Sequence, residues 1–433
     1  MSATASTGRV ADSGDPARGT SDAGPTGADP AVRTVLSRLT ALDRGAFARD
    51  VWGHAPLLTR AAELPAAEPV LTLDDVDTIV SRRGLRTPFV RLTKDGIVVP
   101  GSRYAGAGGI GASIPDQVSD ARVLDLVLDG TTIVLQALHR TWEPVMVLCS
   151  QLSAELACPV QANAYLTPPS SQGFDDHYDV HDVFVLQLAG TKHWRVHEPV
   201  HTWPLPDQAW TQHREALEQR STEDPLLDVV LGPGDCLYLP RGTVHAARTT
   251  ESVSAHLTIG VHPVTVHAVA RELLTLAAAD PAMRAALPLG AGPGSPELAD
   301  AVVTALAVLQ GALAEVPLRA AVDALADAVL PQTRPSPLAP LAQAEVVRAL
   351  TDATPVVVRP GLQWHLSERA GALRLRLPEQ VLELPSTEEP ALRALLAGPP
   401  LRASDLGAMG AQIDALGLIS RLLRAGVLVP AGR

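Results

Sequence analysis

With 433 residues and 46% hydrophobic content, the chain is long enough for two or three domains, although aromatics at 3% leave Ala, Leu and Val to fill the cores. A net charge of −12 and a pI of about 5.5 argue against general nucleic-acid affinity, which needs a basic footprint, and favour a basic partner surface. Cys149, Cys158 and Cys236 make no disulfide framework, no apolar signal core opens the chain, and no stretch is expected to reach the roughly 18 apolar residues of a membrane helix. The expectation is a soluble cytoplasmic protein.

Residues 1–33 are Ser, Gly, Ala, Asp and Pro with almost no large apolar side chain, and are expected to be disordered. From Val35, the spacing of Leu36, Leu39, Leu42, Phe47, Val51 and Trp52 predicts one helix that stops before Pro56. Leu73 to Val80 reads as a short helix, and Pro88–Thr93 with Gly96–Pro100 flank a Lys94-Asp95-Gly96 hairpin signal. Gly106 to Gly111 matches GxGxxG, but no strand leads into it and Pro115 follows, so the dinucleotide reading fails and a loop is expected. A helix over Asp120–Leu128, a strand over Thr132–Gln136 and an amphipathic helix over Pro144–Leu156 complete the approach to the central stretch.

That stretch runs from Asn163 to His256. His177 and Asp179, two apart on an extended strand, present an imidazole and a carboxylate to one side. Gly234 to His245 reads as a turn, a short apolar strand, a Pro/Gly turn and a strand that begins by presenting His245. Gly234, Pro240, Gly242 and His245 fit the cupin pattern G-x5-P-x-G-x2-H at every fixed position. If the two segments pair inside a barrel, His177, Asp179 and His245 occupy one face of a metal and leave the rest open, as in non-haem Fe(II) oxygenases. Lys192 stands out because Lys94 is the other lysine among 35 basic residues. Carried on from Phe184, Leu186, Leu188 and Gly190 by alternation, its ammonium would point into an apolar lining and need an anionic partner. Asn163 precedes the triad as either a turn amide or a pocket residue. His181, His193 and His197 read as surface or satisfied core histidines, whereas His256 can face the pocket. Residues 198–228, polar, Pro-rich and helical over Gln212–Gln219, suit a lid or substrate contact at a barrel mouth.

From Val264 the pattern turns to Ala/Leu-rich helices, including Leu298–Leu313 and Leu318–Leu330, whose broad apolar faces suit association. From Ala342 the order is helix, strands (Val356–Val358, Leu373–Leu377, Gln380–Leu384), helix (Glu389–Leu396), then a helix over Asp414–Ala425 and a final strand. This order resembles a winged helix, but from residue 346 ten Arg against eight acidic residues form no basic run, so DNA binding is not expected.

The segments 163–174, His177-Tyr178-Asp179, 184–187, 190–196 and 237–242 together resemble the JmjC-type ribosomal oxygenases, cupin-like hydroxylases of ribosomal proteins. The resemblance implies an α+β chain in which a double-stranded β-helix (the JmjC/cupin jelly roll, 34–263) precedes a helical dimerisation domain (264–341) and a winged-helix-like domain (342–433). It implies Fe(II) on His177, Asp179 and His245, with 2-oxoglutarate chelating the iron and pairing its far carboxylate with Lys192. Asn163 and Tyr165 would line the cosubstrate pocket. Where the family has a Ser on a late strand, Gly260 stands here, and Thr258 or a water would take over that contact. The implied activity is hydroxylation of a His or Arg side chain on a basic ribosomal protein by a homodimer, with succinate and CO2 released. The same chemistry on a small molecule or a biosynthetic peptide is the alternative, and a non-catalytic metal-binding cupin is a third reading.

Overall fold

The structure, a computed structural model, describes residues 34–432 except 95, 112, 170, 172–174, 370 and 409–412. The expected disordered tail, the tip of the first hairpin and most of the 170–174 motif lie outside the described residues.

Where one N-terminal helix is predicted, the chain makes a 3-10 turn at Leu36–Arg38 and then α1 (Arg44–Asp50). The break follows from Asp43, whose carboxylate accepts the Ala46 N–H as an N-cap and so restarts the helix. Next come β1 (Leu57–Thr59), α2 (Leu73–Arg82), β2 (Val90–Lys94) and β3 (Ile97–Val98). A short ribbon, β4 (Ala105–Gly106) with β5 (Gln117–Val118), holds the GxGxxG loop as a loop. Then follow α3 (Asp120–Leu128), β6 (Thr132–Leu135), α4 (Leu138–Thr141) and α5 (Glu143–Leu156).

The barrel strands are β7 (Val160–Thr167), β8 (Asp182–Ala189), β9 (Lys192–His197), β10 (Leu227–Leu231), β11 (Cys236–Leu239), β12 (Val244–Thr249) and β13 (Ser254–Val261), with α6 (Arg214–Arg220) between β9 and β10. Among the described residues the larger sheet runs β1-β11-β8-β13-β7-β6-β2-β3 and the smaller runs β10-β9-β12. Alternation gives the larger sheet two apolar faces. Phe184 and Leu186 of β8, Tyr238 of β11 and Leu257 of β13 pack outward against Phe47, Val76, Leu148 and the other covering helices. Val183 and Val185 of β8, with Leu237 and Leu239 of β11, point inward to Trp194, Val196 and Leu231 of the smaller sheet.

Beyond the barrel lie α7 (Val266–Ala277), α8 (Glu297–Ala314) and α9 (Leu318–Val329). The expectation that no segment could span a membrane is corrected here. Helix α8 is 18 residues long with mean hydropathy 1.5 and only 11% of it buried, so by length and composition it qualifies. Its many alanines, each only mildly apolar, hide that total from a search for large side chains. The C-terminal region holds α10 (Pro340–Arg348), β14 (Val356–Val358), β15 (His365–Arg369), β16 (Ala372–Arg376), β17 (Val381–Pro385), α11 (Glu389–Leu396), α12 (Ala403–Ala408), α13 (Ala415–Arg424) and β18 (Leu428–Pro430). It closes around its own core, with Leu375, Leu392, Leu418 and Leu422 fully buried.

Candidate metal centre

The two sheets enclose a cavity of about 520 Å³ lined in part by His177, Asp179 and His245. One ligand atom from each of these three lies within 4.8 Å of the others. His245 opens β12, as the sequence suggests. His177 and Asp179 do not sit on a regular strand: they occupy an irregular segment before β8, in which His177 forms a bridge opposite His245. That bridge exchanges both backbone hydrogen bonds (3.2 and 2.9 Å), and Gly242 N–H donates to the Asp179 carbonyl at 2.9 Å. The triad is therefore fixed by main-chain pairing between its own segments.

Backbone carbonyls set the imidazoles. His177 Nδ1 lies 2.8 Å from the Asp175 carbonyl and His245 Nδ1 lies 3.0 Å from the Thr243 carbonyl. A carbonyl only accepts, so each Nδ1 carries the proton and each Nε2 keeps a lone pair for a metal. His245 Nε2 is 3.9 Å from Asp179 Oδ2, too far for a hydrogen bond and suited to an ion between them. Burial, then the neighbouring His177, lowers the His245 pKa to about 4. Burial pushes the Asp179 carboxyl up, but the charges of His181, His177 and His245 outweigh it and hold the group below its usual range. With each Nδ1 turned to a backbone carbonyl and the Asp179 carboxyl held below its usual range, two imidazole Nε2 atoms and a carboxylate converge on one point, and this donor set fits a divalent ion.

Deeper in the cavity lies Lys192, 4% exposed, which donates to Thr167 Oγ1 at 3.4 Å. Among the described residues no carboxylate pairs with it, and burial lowers its pKa to about 7. The expected lining of Phe184, Leu186 and Leu188 is wrong. Strand β8 ends at Ala189, Gly190 turns the chain at φ +59°, and Lys192 opens β9, which resets the alternation. Lys192 therefore faces Val183 and Val185.

Tyr165 and Thr258 line the cavity as expected. Asn163 does not: its Oδ1 accepts the Ala137 N–H at 2.9 Å, which satisfies the backbone where Ala137 takes a left-handed conformation. At Gly260 the space is already filled, since a Cβ there would come 3.0 Å from His181 Cε1 and 3.1 Å from Gln161 Cγ. His256 does face the cavity, stacked on Tyr165 (5.0 Å between centroids, 2° between planes). Sequence reasoning missed Thr132, Thr167, Trp194, Trp210 and Arg214 as lining residues. Thr167 and Trp194 were reachable by counting two on from Tyr165 and Lys192. Buried Asp182 was missed as well. It accepts from Tyr238 Oη (2.6 Å) and from Arg241 N–H (3.0 Å), and so ties the start of β8 to the turn that delivers His245.

A family model described as "JmjC domain" matches residues 137–269, the span that carries this whole arrangement. Residues 137–269 therefore carry a JmjC domain. It is 46% identical over 116 residues to the Drosophila persimilis bifunctional lysine-specific demethylase and histidyl-hydroxylase NO66, covering 27% of this chain and 16% of that protein. To Gallus gallus ribosomal oxygenase 1 it is 34% identical over 220 residues, covering 49% of this chain and 34% of that one. The chain thus spans well under two thirds of these curated relatives. The crystal structure of Escherichia coli ribosomal oxygenase YcfD is similar in fold, with 16% identity, a TM-score of 0.53, and 90% and 99% of the two chains covered. The same protein in complex with cobalt and 2-oxoglutarate gives 17% identity and a TM-score of 0.53. A mixed α and β fold like that of YcfD therefore extends over most of the chain, with the cupin-like JmjC domain at residues 137–269.

Proposed function

We propose that this protein is an Fe(II)- and 2-oxoglutarate-dependent dioxygenase that hydroxylates a His or Arg side chain of a basic, ribosomal protein. One observation carries the reading: a His-Asp-His set whose ligand atoms lie within 4.8 Å of one another shares its cavity with a buried ammonium that, among the described residues, no carboxylate pairs. His177, Asp179 and His245 would hold the metal, and Lys192, oriented by Thr167, would hold the far carboxylate of the 2-oxo acid. Tyr165, Thr258 and the stacked His256 would flank it. When bound, iron and 2-oxoglutarate supply the oxidation, in which O2 and the 2-oxo acid give succinate, CO2 and a hydroxylated C–H bond. The protein's part is to fix one face of coordination, orient two imidazoles through the Asp175 and Thr243 carbonyls and exclude water with Val183, Val185 and Trp194. The names of the curated relatives, a histidyl-hydroxylase and a ribosomal oxygenase, support a protein substrate, and the net charge of −12 suits a basic one. We further assign residues 34–263 to catalysis, 264–341 to homodimerisation and 342–433 to a winged-helix-like module.

Anaerobic Fe(II) titration followed by succinate release from 2-oxoglutarate tests the enzyme, comparing the native chain with His177→Ala and Lys192→Ala. Metal uptake and succinate that vanish in the first variant, with a much raised 2-oxoglutarate requirement in the second, are expected. No metal uptake by the native chain leaves a binding protein on a cupin scaffold. Succinate without a 16 Da gain on any ribosomal protein points to a small molecule or a biosynthetic peptide instead.

A further inference from the structure

The insertion between β9 and β10 is attached to the metal segment itself. Tyr178, between the two metal-site residues His177 and Asp179, is 1% exposed and packs with Leu217, Val244 and Trp210, while its hydroxyl donates to the Gln208 carbonyl at 2.9 Å. This attachment places Trp210 6.3 Å from the His177 ring, centroid to centroid. The Arg214 guanidinium then lies over Trp210, 4.6 Å from its centroid. Both side chains line the cavity. Of the other charges on that lining, Asp179 belongs to the triad and Lys192 to the floor. Among the described residues, the charged side chains left to face an incoming group are Arg91 and Asp175, of opposite sign, and Arg214, which adds a positive charge.

We propose that Arg214, laid on Trp210, is a specificity-determining residue that makes the mouth positive and disfavours a cationic side chain, so that the residue oxidised is uncharged. This rests on the oxygenase reading above and narrows it. The acidic molecule as a whole attracts a basic partner, while the mouth next to the triad repels a guanidinium or an ammonium. The cation-π contact holds an exposed arginine in place, and among the described residues no carboxylate pairs with it to cancel its charge. A single charge across a solvated mouth changes relative binding about threefold, and reversing it about tenfold, with both effects shrinking as salt shortens the Debye length.

The test begins with a total ribosomal-protein extract treated with the iron- and 2-oxoglutarate-supplied enzyme at pH 8, where free imidazole is neutral, and mapped by mass spectrometry. The most oxidised sequence is then made as peptides with His, Gln, Lys or Arg at the target position, for turnover and for retention on cobalt-loaded protein. The native chain should oxidise and retain the uncharged versions preferentially. Arg214→Glu should shift the Arg-to-His ratio about tenfold toward Arg and Arg214→Gln about threefold, both smaller at 0.5 M salt. Arg214 is exposed, and a melting curve of each variant verifies that the fold is kept. Native oxidation centred on Arg or Lys, or a ratio indifferent to Arg214→Glu, overturns the proposal. Absent succinate strikes the oxygenase reading beneath it, whereas succinate with no oxidised residue strikes the protein substrate; either removes this proposal as well.

Discussion

Lys192 can be followed from free energy to function. An ordinary lysine titrates near 10.4, and burial brings this one to about 7 in the folded, ligand-free protein. Between about pH 7 and about pH 10.4 the unfolded chain therefore holds a proton that the folded chain lacks, so stability rises with pH across that window. Below about pH 7 both states are protonated and the penalty of the buried charge is constant. A carboxylate ligand needs the ammonium, so its affinity has the opposite slope. With cobalt-loaded protein, the dissociation constant for 2-oxoglutarate from calorimetry should be flat near pH 6 and weaken by up to about tenfold per unit above pH 7. Lys192→Met should raise the melting temperature of the ligand-free protein and abolish that pH dependence. A native affinity independent of pH would contradict the carboxylate anchor. His177, Asp179 and His245 were legible at this scale because two short local patterns carry them. Asn163 was misread because its task, the amide of Ala137, arises from a distant loop that no spacing reveals.

At the scale of elements, strands were read from alternation, which is local, and turns were the source of error. Counting through Gly190 kept Lys192 on the Phe184 face; the structure turns there because a left-handed residue sits against the 253 backbone. A Cβ on Gly190 would lie 2.0 Å from the Val253 carbonyl oxygen at φ +59°. Neither the backbone conformation nor the clash can be relieved by a side-chain rotation. Gly190→Ala should therefore cost more than about 2 kcal/mol in urea denaturation and weaken 2-oxoglutarate binding, because the turn sets the start of β9. Gly260→Ser is a milder case, since its close contacts are side chains. His181 is backed by His262, 4.8 Å between centroids, whereas Gln161 can swing. The serine should cost about 1–2 kcal/mol, and His181→Ala in the same chain should recover most of it. A double-mutant cycle with no coupling would show that His181 does not explain the glycine.

For the whole molecule, the order barrel, helices, then a second core was visible in composition, because apolar periodicity changes from two to 3.6 at Val264 and back again near Val356. What covers the helices was not. Helix α8 packs against α7 but leaves Val302, Val303 and Leu306 46%, 66% and 52% exposed, with Leu318 and Val322 of α9 also bare. Apolar surface of this kind marks an interface, and the same helix meets the length and hydropathy of a membrane span. The two uses separate experimentally. Self-association buries one stripe, so charges placed on that stripe abolish it; membrane insertion tolerates a single surface charge poorly but does not depend on protein concentration. Val303→Glu with Leu306→Glu should turn a native dimer into a monomer by sedimentation, and the native chain should not float with phosphatidylcholine vesicles. Because both substitutions lie outside the barrel, the isolated monomer should still take up cobalt at His177, Asp179 and His245. Loss of cobalt binding with the dimer would mean that the helical region supports the barrel itself, and a native chain that sediments as a monomer and floats would assign the α8 face to lipid.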